Sequence, residues 1–144
     1  AERIAERLGC EAVEITPVVP FSSDYQTVVD EWQNNSVKSE VAINPIGVDL
    51  NEYDKIVLGS PIWWYTITPV LMTFLRENDL TGKKVFPFVT SAGWFGHWSE
   101  DFCKLNRGGE VGASLQVKFE AVEGAGEMLT PIDQLDAWVD KIKG

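Results

Sequence analysis

The chain has 144 residues, with 44% hydrophobic, 24% charged and two cysteines, a composition too apolar for a disordered segment and too poor in cysteine for a disulfide scaffold. Twelve basic against 22 acidic residues leave a net charge of −10, which argues against a nucleic-acid partner, since that would need a basic patch. No apolar run approaches the roughly 18 residues of a membrane span, and the polar opening from Ala1 to Leu8 is no signal peptide, so no membrane partner is expected and the expected setting is the reducing cytoplasm.

Residues 1–8 place Ile4, Ala5 and Leu8 on one stripe of a helix, with Gly9 where a helix-terminating glycine belongs. The alternation over residues 11–16 predicts a strand that Pro17 stops. A helix is predicted over 23–35, with Ser23 as its N-cap and Tyr25, Val28, Val29 and Trp32 on one face. Residues 37–52 are polar and irregular. Two short apolar runs, 55–59 and 84–90, predict strands covered on both faces. Each is followed by a predicted loop, 60–68 and 91–97, and then by a helix, 69–78 and about 99–105. Residues 113–122 alternate as a strand with Leu115, Val117 and Phe119 on one side. The last helix is predicted to have Thr130 as its N-cap, Pro131 at its first position, and a core face of Ile132, Leu135, Trp138, Val139 and Ile142.

Helices and strands thus alternate through one domain, 1–144, which predicts an α/β fold: a three-layer, doubly wound parallel sheet. Ligands of such sheets sit beyond the carboxyl ends of the strands. The two loops at those ends carry Trp63, Trp64 and Trp94, and Trp98 follows directly. Some of these rings are expected to pack beneath helices. Apolar rings left at a loop surface instead call for a partner or ligand to cover them, and flat rings suit a flat ring system. The glycines Gly93 and Gly96 let backbone approach such a ring closely.

The run Tyr53-Asp54-Lys55-Ile56-Val57-Leu58-Gly59-Ser60-Pro61-Ile62-Trp63-Trp64 resembles the third strand and following loop of flavodoxin-like proteins with a YDxIxLGxPIWW signature. Pro69-Val70, Phe74-Leu75 and Leu80-Thr81-Gly82-Lys83-Lys84-Val85 continue the pattern, and Ser91-Ala92-Gly93 with Gly96 is similar to the second flavin-contacting loop. The resemblance implies noncovalent FMN and electron transfer at its ring, in the fold whose FMN sits at the sheet's switch point. It implies further that Ser60, Pro61, Ile62, Trp63 and Trp64 border one side of the ring, with Trp63 stacking on it, and that Ser91, Ala92, Gly93, Trp94 and Gly96 border the other. His97, the single histidine, is open to a structural role or to one as proton donor.

The family pattern begins with a strand and a threonine- and glycine-bearing loop whose N–H groups wrap the FMN phosphate. Both are absent from this chain, which starts after them. Charge-assisted hydrogen bonds contribute about 1.5–3 kcal/mol each, so FMN binding by this chain alone is expected to be weak or absent. The absent strand is an inner one, so either residues 11–16 shift into its place or a second chain fills it, by strand exchange or edge pairing in a homodimer. The expected partners are a redox protein or a small quinone-like acceptor. The alternative is a non-catalytic protein-binding module that retains the fold. A hydrolase is disfavoured, because no GxSxG occurs, and the helical context of Cys103 predicts a buried, inert thiol.

Overall fold

A computed structural model describes residues 1–32, 41–122 and 126–144. In chain order the elements are helix α1 (Glu2–Leu8), helix α2 (Tyr25–Trp32), a 3-10 turn (Leu50–Glu52), strands β1 (Lys55–Trp63) and β2 (Thr66–Ile67), helix α3 (Pro69–Glu77), strand β3 (Lys84–Ser91), helix α4 (Trp98–Leu105), strands β4 (Glu110–Val111) and β5 (Leu115–Lys118), and helix α5 (Ile132–Lys143). The end of the helix expected over 23–35 beyond Trp32, and the side chain of Trp32, lie outside the described residues. Among the described residues, no helix is long and apolar enough to cross a membrane.

The centre of the sheet is β3. It pairs in parallel with β1 from Lys55↔Lys84 to Pro61↔Thr90, and on its other side with β4 and then β5. β4 and β5 form one strand position broken at residues 112–114. The break has a cause in β3: Pro87 offers no N–H to a ladder, and pairing stops at Val85 and resumes at Phe88. The strand expected over 113–122 is therefore shorter, with only Leu115–Lys118 in the ladder.

Side chains alternate across this sheet and fill a core on each face. Ile56, Leu58, Val85 and Val89 meet Leu71, Met72, Phe74 and Leu75 of α3 and Trp98 and Phe102 of α4. Phe86, Leu115 and Val117 meet Ile4 of α1 and Leu135, Trp138, Val139 and Ile142 of α5. The result is the expected three-layer, doubly wound α/β arrangement, with α1 and α5 on one face and α3 and α4 on the other. Ion pairs fasten α1 to α5: Arg3 to Asp136 at 2.7 Å and Arg7 to Asp140 at 2.9 Å. Gly9 closes α1 at φ 68°, its N–H reaching Ala5 and Glu6 carbonyls.

Several expectations are corrected. Residues 11–16 form no strand: this segment meets residues 42–44 through one antiparallel bridge, Pro17↔Ile43, with Val18 N–H on the Ala42 carbonyl at 2.9 Å. Pro17 and Pro20 interrupt its donor pattern, and Val13, Val18 and Val19 face outward. It does not move beside β1, whose edge opposite β3 carries no strand along 55–61 among the described residues. The cap of α2 is not Ser23; the Asp24 carboxylate accepts from Thr27 N–H at 3.0 Å. Thr130 does not cap α5 with its side chain, because its hydroxyl accepts from Lys118 N–H at 2.7 Å instead. Ile132 is exposed at 43%, outside the core face predicted for it. Cys103 is exposed rather than buried: α4 buries Trp98 and Phe102, and one further residue turns roughly 100° away from that stripe.

Candidate functional site

The loop predicted over 60–68 is mostly a hairpin. β1 runs on through Trp63, and β2 returns antiparallel in the register Ile62↔Ile67 and Trp63↔Thr66. That register leaves a two-residue turn, Trp64-Tyr65, with both residues at positive φ, 45° and 69°. A two-residue turn with two positive φ angles is the type I′ geometry, whose twist suits a hairpin and which normally recruits Asn-Gly. Side-chained residues in this region cost about 1–2 kcal/mol each. Two aromatic residues in such a turn are held there by what surrounds them.

Four contacts do the holding. Trp64 Nε1 donates to the Val29 carbonyl of α2 at 3.1 Å. His97 N–H donates to the Tyr65 carbonyl at 2.8 Å. The Thr66 hydroxyl donates to Asp101 Oδ2 of α4 at 2.6 Å. The Tyr65 and Trp94 rings meet at 5.0 Å between centroids, tilted by 54°. The hairpin tip and the β3–α4 loop are thus joined, so the two tryptophan-bearing segments that follow β1 and β3 converge at the carboxyl end of the sheet.

The ten residues singled out from the sequence divide by placement. Trp64, Trp94 and Gly96 come together around Tyr65. A Cβ on Gly96, at φ 62°, would lie 2.1 Å from the Tyr65 carbonyl oxygen, so a glycine is required where the two loops touch. Gly93 sits against Lys118, whose Cε would be 3.0 Å from a Cβ placed there, and this puts one cation beside the loop. Ala92 is exposed and Ser91 is half-buried, its hydroxyl donating to the Trp94 carbonyl at 2.8 Å and accepting from Gly93 N–H at 3.3 Å. Trp63 is half-buried, edge-on to Phe21 at 4.9 Å. Pro61 and Ile62 belong to β1, Pro61 outward and Ile62 against the core. Ser60 is buried inside the turn into α3: it is 4% exposed, and its hydroxyl accepts from Thr68 N–H at 3.0 Å and donates to the Pro61 carbonyl at 2.7 Å. Trp98 lies in the core at 3% exposure, as expected for some of these rings.

Three residues that the sequence did not single out for the site complete it. Tyr65 supplies the tip, Thr66 and Asp101 the bond that ties the tip to α4. Asp101 was findable as the i+4 neighbour of His97 on a predicted helix; Tyr65 follows the signature by one residue.

Two features of this geometry fit a planar ring. Tyr65 and Trp94 are exposed at 43% and 70%, an apolar rim with open faces. The N–H groups of Trp94 and Phe95 have no acceptor among the described residues, which leaves donors for polar atoms on a ring edge. No comparable cradle for a phosphate, with several backbone N–H groups turned to one point, stands among the described residues.

A family model described as Flavodoxin matches residues 1–106, and the chain belongs to the flavodoxin family. Solved structures share the fold. A candidate flavoprotein from Bacteroides eggerthii DSM 20697 superposes with a TM-score of 0.74 at 24% identity, over 99% of this chain and 87% of that one. A candidate flavoprotein from Bacteroides uniformis ATCC 8492 gives 0.66 at 22%, over 99% and 87%. A flavoprotein from Lactobacillus acidophilus NCFM, solved in complex with FMN, gives 0.61 at 21%, over 95% and 89%. No curated protein matches the sequence.

Proposed function

We propose that the protein is an FMN-dependent redox protein, serving electron transfer or the reduction of quinone-like acceptors, with the flavin ring held between the Pro61–Trp64 and Ser91–Gly96 segments. The observation that carries this reading is the convergence of the two loops into one aromatic rim with unpaired N–H donors at the sheet's carboxyl end. The FMN complex of the Lactobacillus acidophilus relative, which shares the fold, adds support. When bound, FMN supplies the redox chemistry; the chain's part is to hold the ring, shield its faces and set its polar contacts. The partner is a redox protein or a small quinone-like molecule, in the cytoplasm.

Binding through the described residues is weak, because only the ring half of the cofactor meets a shaped surface. Two charge-assisted phosphate contacts at about 2 kcal/mol each correspond to roughly a thousandfold in affinity. The test is a paired titration with FMN and with riboflavin, which lacks the phosphate, followed by quenching of tryptophan fluorescence. Both ligands are expected to quench with similar, weak affinities. Nanomolar FMN binding, or FMN binding orders of magnitude tighter than riboflavin, refutes the weak phosphate contribution. No quenching by either refutes the ring site and favours the second reading, a protein-binding module whose docking surface is built on Trp94, 70% exposed.

A further inference from the structure

His97 has a geometry that its place in the loop does not require. It stands at the N-cap of α4, yet its side chain makes no capping bond. Instead Nδ1 lies 2.7 Å from Asp101 Oδ2, one helical turn on. That same oxygen accepts the Thr66 hydroxyl at 2.6 Å, so the carboxylate is fixed from two elements and is only 16% exposed. An ionised carboxylate accepts and never donates, so the hydrogen of this contact belongs to Nδ1. Nε2 has no partner among the described residues, and the imidazole is 49% exposed. The ring can therefore gain or lose a proton at one atom only, the one turned to the outside. The backbone N–H of the same residue is bonded to Tyr65, which places this atom at the edge of the Tyr65–Trp94 rim.

We propose that His97 is the proton-donating residue of this site, with Asp101 as its positioning residue and Nε2 as the donor atom. The assignment rests on the flavin reading above and names the class of acceptor it serves: one that takes up a proton with its electrons, such as a quinone. A quinone that has accepted a hydride from reduced FMN is left with one phenolate oxygen. The Nε2–H bond of the His97 imidazolium breaks, an O–H bond forms on that oxygen, and the neutral imidazole recovers its proton from water. Two electrons and one hydrogen arrive as hydride and the second hydrogen comes from His97, which completes the hydroquinone. An acceptor such as ferricyanide takes electrons alone and has no use for His97.

The test has two arms. Because the chain has a single histidine, the imidazole of protein labelled with nitrogen-15 histidine gives one set of signals, and the neutral ring is expected to be the Nδ1–H tautomer. Asp101→Asn is expected to abolish that preference. An Nε2–H tautomer in the unsubstituted protein overturns the assignment. In the second arm, protein saturated with FMN and reduced is mixed with a benzoquinone or with ferricyanide. His97→Gln is expected to slow quinone reduction by about a hundredfold, the usual contribution of a positioned acid, and to leave ferricyanide reduction unchanged. Equal loss with both acceptors, or no loss with the quinone, overturns it. Uptake of FMN is measured first by tryptophan fluorescence; its failure refutes the ring site and with it the donor role, while the tautomer separately tells whether the dyad was read correctly.

Discussion

Replacing Gly96 by alanine tests whether the hairpin and the β3–α4 loop are truly one unit. Two costs add at this position. The first is conformational: at φ 62° a side chain costs about 1 kcal/mol. The second is contact: the new methyl would stand 2.1 Å from the Tyr65 carbonyl oxygen and 2.6 Å from its carbon. These are backbone atoms, which cannot swing away as the end of a side chain can. Relief requires the turn to retreat by more than an ångström, and that breaks the His97 N–H bond to the same carbonyl, 2.8 Å long, worth about 1 kcal/mol. With residual overpacking of about 1 kcal/mol, the total is about 3 kcal/mol. Gly47→Ala is the control, because Gly47 has φ 72° but nothing within 4 Å of a Cβ, so it incurs the conformational cost alone. Urea unfolding followed by circular dichroism should place Gly96→Ala about 2 kcal/mol below Gly47→Ala, a midpoint difference of about 1 M at a typical slope. Tyrosine and tryptophan near-ultraviolet signals should weaken in the first variant and not in the second. Equal destabilisation by the two substitutions would refute the contact between the loops.

Trp64→Phe keeps an aromatic ring but removes the bond to the Val29 carbonyl; about 1 kcal/mol should be lost, with faster amide exchange confined to α2, and uniform exchange changes would contradict this. Asp136 is held below the usual aspartate value of 3.8 by the hydrogen bond from Arg3 and by the charges of Arg3 and Arg7. A depressed carboxylate stabilises the fold above its unfolded value and loses that contribution as pH falls through the folded one. Amide exchange in α1 should therefore accelerate as pH drops below about 3.8, and Asp136→Asn should flatten that dependence; identical profiles would refute it. The edge of β1 opposite β3 carries no strand along 55–61 among the described residues, and unpaired edges recruit strands. Sedimentation should show concentration-dependent dimers of this chain, and a monomer across the accessible range would refute edge pairing.

Much of this architecture was legible because it follows from short-range pattern. The runs 55–59 and 84–90 lack polar residues on either face except where β3 ends, and that is the mark of strands covered on both sides. Helices α3 and α5 repeat their apolar residues at helical spacing. What failed depended on tertiary context. Residues 11–16 alternate like a strand, but their hydrogen bonds go to 42–44, a choice no local pattern encodes. The hairpin was missed because Trp64-Tyr65 lacks the Asn-Gly composition that announces a type I′ turn. At the site, the aromatic residues and Gly96 were visible as unusual loop chemistry. The burial of Ser60 was not, since a serine after a strand reads equally well as ligand or as pin, and only Thr68, eight residues on, decides it.

The composition of that turn bears on how the protein could be altered. Asn-Gly at positions 64 and 65 would relax both strained backbone angles and, by this measure alone, give a hardier molecule. It would also erase Trp64 and Tyr65, the anchor on α2 and the partner of Trp94. Selection for heat resistance without selection for ligand capture should therefore drift toward small residues at this tip, and variants recovered that way should be tougher and empty-handed.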